Sequence, residues 1–194
     1  MILVKEKNEP RIRQGDIIKN VEYIENVLEE NGVISVSRIV FPLVVVLTQD
    51  CDLTWDYDAR NKKSTNQDKF LLSVIVAPLY NYEHFLDGVH LQDIGQQMAT
   101  ISRKEEKTDN KNLRQNETPR YHYLDFDSSI PIVNSVIDFK HYFTVNVEQL
   151  RVHKQTNFIC SVSEIFREHI SQRFANYLSR IGLPEPKPNV EKQG

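Results

Sequence analysis

The residues with the clearest capacity for chemistry form a short run, Thr48-Gln49-Asp50-Cys51-Asp52, directly after an apolar segment. In an extended chain Asp50 and Asp52 would point to one face and Cys51 to the other. Three interpretations remain open. The carboxylates could bind a hard cation, the Cys51 thiolate could act as a nucleophile, or the run could be structural, with a core thiol and carboxylates that cap turn N–H groups. Two flanking carboxylates disfavour a thiolate. Asp50 and Asp52 alone are too few ligands to assign a metal, so no cofactor is predicted.

A second run, Arg120-Tyr121-His122-Tyr123, combines a cation, an imidazole and two aromatic rings. On a strand, Arg120 and His122 share one face and the two tyrosines share the other. His122 could act as a general acid or base in phosphodiester cleavage, with Arg120 stabilising the developing charge and the tyrosines stacking on bases. The structural alternative is an edge strand with its aromatic side chains directed inward.

Composition excludes several classes of protein. The 194 residues include 24 Lys and Arg against 27 Asp and Glu, a net charge of −3, which excludes a globally basic nucleic-acid binder. A hydrophobic fraction of 40% excludes wholesale disorder. The longest apolar run, residues 41–47, is far shorter than the roughly 20 residues that a bilayer requires. We therefore expect a cytoplasmic protein without membrane contact, and two free thiols rather than a disulfide framework.

The elements that would position these groups are mainly short strands. Asn31-Gly32 predicts a hairpin, and residues 42–47 lack a polar side, which is typical of a strand buried on both faces. Its expected partner is residues 71–79, with Pro78 marking the end or edge of that strand. Residues 120–126, 130–139 and 142–150 complete the predicted strands.

Helices and loops fill the remainder. A short helix is predicted near residues 83–86, and a long one over residues 163–181, where apolar residues recur at three- and four-residue steps. Gly182 and Pro184 are expected to end it, and Arg167, Arg173 and Arg180 are expected to be solvated. Residues 56–69 and 102–120 read as long polar loops.

Three segments occur in an order that resembles a known family. They are RQGDII at residues 13–18, FPLVVVL at 41–47 and VIVAPL at 74–79, within the first two-fifths of the chain. This order resembles the PemK/MazF family of small-barrel toxins. The resemblance implies an SH3-like β-barrel with a C-terminal helix, and metal-independent endoribonucleases that act as dimers and pair with antitoxins. Phe41 and Tyr80 stand where that family has its catalytic arginine and threonine, and Phe41 cannot stabilise phosphate charge.

We therefore predict a mainly β protein with helices (α+β), an SH3-like barrel in one domain over residues 1–184 with a flexible tail at 185–194. The expected function is a binding component in a bacterial or phage stress or defence system, with a protein partner or a homodimer, or with nucleic acid. One alternative is an endoribonuclease or other hydrolase whose relocated site uses Asp50, Cys51, Asp52, Arg120 and His122. Another is a thiol- or metal-sensing regulator at Cys51. The candidate binding residues are Thr48, Gln49, Trp55, Tyr80, Tyr121 and Tyr123.

Overall fold

The computed structural model describes residues 1–62, 65–104 and 108–180. Within them the chain forms eight strands and five α-helices. The strands are β1 Val4–Lys5, β2 Asp16–Glu30, β3 Val33–Val46, β4 Ser73–Asn81, β5 Tyr121–Leu124, β6 Ser135–Asp138, β7 Phe143–Asn146 and β8 Phe158–Val162. The helices are α1 Asp50–Asn61, α2 Tyr82–Leu86, α3 Thr108–Arg114, α4 Val147–Asn157 and α5 Glu164–Leu178.

The strands form one antiparallel sheet in the order β1-β8-β2-β3-β4-β6-β5, with β7 paired to β4. The sheet is strongly curled, because its two outer strands approach each other: a single bridge joins Ile2, just before β1, to Phe126, just after β5. The backbone N–H of Ile2 also donates to the carbonyl of Asp125 at 2.7 Å. The predicted mainly β architecture with helices is confirmed at this level, as a curled sheet consistent with a small barrel.

The strand β3 is buried on both faces at its end, as predicted. Val44 and Val46 pack into one apolar cluster, and Val45 packs into another on the opposite side of the sheet. All three are almost fully buried. This double burial explains why the segment is apolar without alternation, and it makes the end of β3 a rigid support for the residues that follow.

The hairpin predicted at Asn31-Gly32 joins β2 and β3. Both turn residues have left-handed φ angles, 53° and 80°, as a tight hairpin turn requires. The two strands are long, and other strands cover only their base: β8 pairs with Asp16 to Ile18, and β4 with Val44 to Val46. Among the described strands, residues 22–40 pair only with one another, so they form a two-stranded ribbon, which we call the arm.

Pro78 lies inside β4 rather than at its end. One edge of β4 pairs with β7 at residues 73–76 and with β6 at residues 79–81. Pro78 falls between these two partners, where that edge has no ladder hydrogen bond to lose. The predicted strand end was therefore wrong, whereas the alternative of an edge position agrees with the structure, because β4 changes partner at Pro78.

Two predicted loops and one predicted strand contain helices. Helix α1 covers the start of residues 56–69, and α3 lies within residues 102–120. The predicted strand 142–150 ends at Asn146, where α4 begins. The Asn146 side chain accepts the N–H groups of Glu148 and Gln149, and such a cap starts a helix.

The long C-terminal helix is confirmed, with Ser163 as its N-cap residue and Ile170 and Phe174 buried. Two of its arginines are not simply solvated. Arg173 donates to the carbonyls of Thr118 and Tyr121 at 2.7 and 2.8 Å, and Arg167 approaches Asp50 at 3.4 Å. The predicted stop at Gly182 and Pro184 and the flexible tail at 185–194 lie outside the described residues.

Candidate functional site

The Asp50 cluster lies in the first turn of α1 and not in an extended chain. Asp50 accepts two bonds from the Arg11 guanidinium, both at 3.1 Å, and one from the backbone N–H of Gln14 at 3.2 Å. Burial acts to raise the pKa of Asp50, but the bond to Arg11 and the charges of Arg11 and Arg167 outweigh it and lower that pKa. Asp50 is therefore a charged anchor that ties the N-terminal segment and α5 to α1.

The neighbours of Asp50 do not join it in one reactive centre. Cys51 is exposed, and its sulfur lies 3.6 Å from Gln49 Oε1 and 3.8 Å from Asp52 Oδ1. Thr48 accepts the N–H of Ile75 at 2.7 Å, which fixes the end of β3 to β4. Trp55 is exposed on α1, with the Lys69 ammonium 5.9 Å from its ring. The sulfur contacts are acceptors, and neither is a base that would activate a thiol.

The two cysteines should differ sharply in reactivity. Cys51 is exposed, whereas Cys160 is buried in β8, where burial and then the charges of Asp16 and Glu6 raise its thiol pKa to about 12. We expect iodoacetamide to alkylate Cys51 in the folded protein at least about 100-fold faster than Cys160. Mass spectrometry of peptides after timed quenching measures both rates, with Cys51→Ser as the control. Equal rates would contradict this placement of the two thiols.

Arg120 and His122 are held by different partners. The Arg120 guanidinium forms a fork on the buried carboxylate of Asp138, at 2.8 and 2.5 Å. His122 is buried and packs against His169, with ring centroids 5.2 Å apart. Tyr121 packs on Phe85. Arg120, His122 and Asp50 thus each have a different bonding or packing partner.

Tyr80 hydrogen-bonds to His141, and the carboxylate of Asp138 lies near the same imidazole. The Tyr80 hydroxyl lies 3.0 Å from Nδ1 of His141, and Asp138 lies 3.6 Å from the same nitrogen, beyond hydrogen-bond range. Burial raises the pKa of Tyr80 and lowers that of His141, so both are neutral at pH 7. We assign Tyr80 as the donor to Nδ1, which leaves the proton of His141 on Nε2.

Tyr80 and His141 line a cleft of about 360 Å³ together with Phe41. Its other wall is the inner side of the arm, including Tyr23 and Ile39. The two positions at which the family resemblance places catalytic residues, 41 and 80, therefore lie on one cleft. Sequence reasoning identified Tyr80 there but missed His141, because an isolated histidine carries no spacing signal.

A larger cavity lies elsewhere, beside His122, and has a volume of about 760 Å³. Its lining includes Tyr123, another predicted binding residue, and His169, which sequence reasoning did not identify. Within the described residues, no group of three His, Cys, Asp or Glu side chains could hold a metal ion. His122 and His169 are therefore an imidazole pair without a third such ligand in the described chain.

Comparison with known proteins gives no assignment. Neither a family model nor a curated protein matches this sequence. Over the part of the chain that the structure describes, none of the helices is both long and apolar enough to cross a membrane.

Proposed function

We propose that the chain is a divergent PemK/MazF-like module that acts by binding a protein partner in a bacterial or phage stress or defence system. The setting and the SH3-like relationship rest on the three segments at residues 13–18, 41–47 and 74–79. Two facts support binding rather than the family's chemistry. Phe41 replaces the group that would stabilise phosphate charge, and Tyr80 carries its hydroxyl on a rigid ring that hydrogen-bonds to His141.

The observation that carries this proposal is the outer face of the arm. Cross-strand partners project from the same face of a ribbon, so the pairs Val27–Val36 and Ile24–Arg38 lie on one side, with Glu29–Ile34 and Glu22–Val40. Five large apolar side chains on this outer face are 48% to 69% exposed: Ile24, Val27, Ile34, Val36 and Val40. Exposed apolar side chains grouped on one face, here interspersed with Glu22, Glu29 and Arg38, are typical of interaction surfaces.

The inner face of the arm is covered only at its base, since Leu28 and Val33 near the turn are 51% and 68% exposed. Tyr23 and Phe41 both pack on Phe143, with ring centroids 5.3 Å apart in each case. The inner side thus attaches the base of the ribbon to the sheet, while the outer side has no cover in the described structure. A two-stranded ribbon is marginally stable alone, so a partner that buries the outer face would also stabilise the arm.

The negative charge of the arm restricts the kind of surface that the arm can bind. Residues 22–38 contain four glutamates, at 22, 25, 29 and 30, and one cation, Arg38. Arg38 is already paired with Glu22 at 3.0 Å. A second copy of the arm would bring like charges together, and nucleic acid would be repelled. The arm therefore favours a protein surface with apolar residues flanked by Lys or Arg.

The hydrolase alternative has less support. Its five proposed residues divide among separate environments: Asp50 bonds to Arg11, Arg120 bonds to Asp138, and His122 packs on His169. A general acid or base must lie within hydrogen-bond reach of the group it serves. Since the proposed groups have different partners, binding remains the function that the geometry favours.

The test is complex formation by an arm variant and a matched control. We expect Ile34→Asp to weaken capture of a specific partner from source cells by at least about 2 kcal/mol, roughly 30-fold, because it places a charge in an apolar contact. Leu72→Asp adds the same charge at an exposed leucine in the loop before β4, and it should retain the partner. Equal capture by both variants, or an absence of any arm-dependent partner, would contradict the proposal.

A further inference from the structure

The arm has two free strand edges in addition to its two faces. Among the described residues, no backbone N–H or carbonyl of residues 22–40 forms a hydrogen bond with the chain outside the arm. A strand edge of this kind presents a row of unpaired donors and acceptors, to which another strand can pair. The edges therefore offer a way of binding a partner that the outer face alone does not.

The turn of the hairpin determines which N–H groups point outward. A two-residue turn makes Glu30 and Val33 a hydrogen-bonded pair, and such pairs alternate with open pairs along an antiparallel ribbon. Val27 and Val36, three steps from the turn pair, therefore form an open pair, in which both N–H groups point away from the ribbon. On β3 the N–H of Ile34 points outward for the same reason.

The edge of β2 is obstructed. At its base, the imidazole of His153 in α4 lies 2.8 Å from the carbonyl oxygen of Lys19. Farther along, the register shifts between Ile24 and Asn26, and a bulge of this kind twists an edge away from a new strand. All four glutamates of the arm also lie on β2, and charged side chains protect an edge from pairing.

The edge of β3 is open near the turn. Residues 33–37 contain no charged side chain, and their register with β2 is regular. Val33, Ile34 and Val36 are β-branched, which favours strand formation, and they are 51% to 69% exposed. A new strand is therefore expected to pair with β3 rather than with β2.

The side chains of β3 restrict the sequence of such a strand. Ile34 and Val36 project on the outer face, so the adjacent side chains of the new strand should be apolar there. Ser35 and Ser37 project on the inner face, where the carboxylate of Glu25 accepts the Ser37 hydroxyl at 2.8 Å. Because serine is small, a long cationic side chain of the new strand can lie across it toward the glutamates of β2.

We propose that the partner adds one extended segment to the free edge of β3 as a new strand, in which apolar residues alternate with Lys or Arg. This inference rests on the proposed partner binding and specifies its chemistry. A second copy of the arm fits less well, because each arm carries four glutamates and one cation within residues 22–38. A third strand would also stabilise the two-stranded ribbon.

Hydrogen–deuterium exchange by NMR tests the pairing on the full chain. The probe is a capped peptide of about eight residues that alternates valine and lysine, and the control peptide has glutamate in place of lysine. We expect a Kd below roughly 1 mM for the lysine peptide and no measurable binding of the control. With the probe in excess, the amides of Ile34 and Val36 should exchange about tenfold more slowly or less, whereas the outward amide of Val27 should keep its rate.

Proline substitutions at one cross-strand pair separate the two edges. Val27 and Val36 lie opposite each other and are 56% and 51% exposed, so both substitutions remove a similar side chain from the same face. Val36→Pro removes the outward N–H of β3, and Val27→Pro removes the corresponding N–H of β2. We expect Val36→Pro to weaken binding of the lysine peptide about tenfold more than Val27→Pro does.

Four results would overturn the inference. They are unchanged exchange at Ile34 and Val36 with excess probe, equal weakening by the two prolines, equal binding of the two peptides, and concentration-dependent protection of the same amides without peptide, which would assign the edge to a second copy. The proposed function has a separate readout. If Ile34→Asp lost the captured partner while Val36→Pro retained it, partner binding by the arm would stand and strand addition would be refuted.

Discussion

Replacing Lys154 with Met should lower the free energy of unfolding by about 3–5 kcal/mol at pH 7. The Lys154 ammonium lies 2.7 Å from Asp16 Oδ2, and both side chains are at most 2% exposed. It also donates to the carbonyls of Glu9 and Arg11, at 3.1 and 2.6 Å. The variant would leave the Asp16 charge and two carbonyls without this donor, and that loss is the source of the large cost.

The pH dependence of this loss has a definite sign. Burial raises the pKa of Asp16 even against the attraction of Lys154, and without Lys154 that pKa should rise further. A carboxyl group with a raised folded-state pKa destabilises the protein as pH rises, because the folded state then holds more protons than the unfolded state. The deficit of Lys154→Met should therefore be larger at pH 8 than at pH 5.

Urea unfolding measures this effect against Lys19→Met, which changes an exposed lysine. The double variant Asp16→Asn with Lys154→Met should recover part of the loss, because the unpaired charge is gone. A cost below about 1 kcal/mol for Lys154→Met would show that the pair is not buried in solution.

Arg120→Ala should cost a similar amount, about 3–5 kcal/mol, because Asp138 is fully buried and Arg120 neutralises it. Arg38→Ala is the matched control, since Arg38 also pairs with a carboxylate, that of Glu22, but at the exposed arm. That variant should cost only about 0–1 kcal/mol. Chemical denaturation gives the free energy of unfolding of both variants, and the comparison separates the cost of losing a pair with a buried carboxylate from the cost of losing an exposed pair.

The outcome also decides what Arg120 does. The sequence analysis predicted that Arg120 could stabilise charge in a catalytic site. In the structure, Arg120 forms two hydrogen bonds to the Asp138 carboxylate, which indicates a structural role near Tyr80 and His141. If Arg120→Ala were as stable as the wild type but lost a measured hydrolytic activity, the structural role would be refuted and the hydrolase alternative would regain support.

The elements whose conformation depends mainly on local sequence could be predicted. Asn31-Gly32 accepts left-handed backbone angles, so the hairpin was predictable, and the unbroken apolar run ending at Leu47 required burial on both faces. Helix α4 was missed because its residues are mostly polar. The helix has its N-cap at Asn146 and buries Val147, Leu150 and Lys154. Which of its side chains are buried depends on how the helix packs on the sheet, and the sequence does not show this.

The candidate sites were less predictable, because their partners are distant in sequence. Asp50 was identified by residue type, yet its environment is set by Arg11 and Arg167, which arrive from the N-terminal segment and from α5. In the same way, His169 meets His122 only because α5 packs beside β5. Exposure of the arm could not be predicted either, since a strand-forming sequence does not reveal which neighbouring strands stop short of it.

The most direct test of the central claim is hydrogen–deuterium exchange of the chain, alone and bound to the partner captured through the arm. We predict that amides at residues 22–40 exchange rapidly in the free chain and are protected in the complex, while those of β4 stay protected in both. Protection that leaves residues 22–40 unchanged and appears on another surface would contradict the proposal that this ribbon holds the partner.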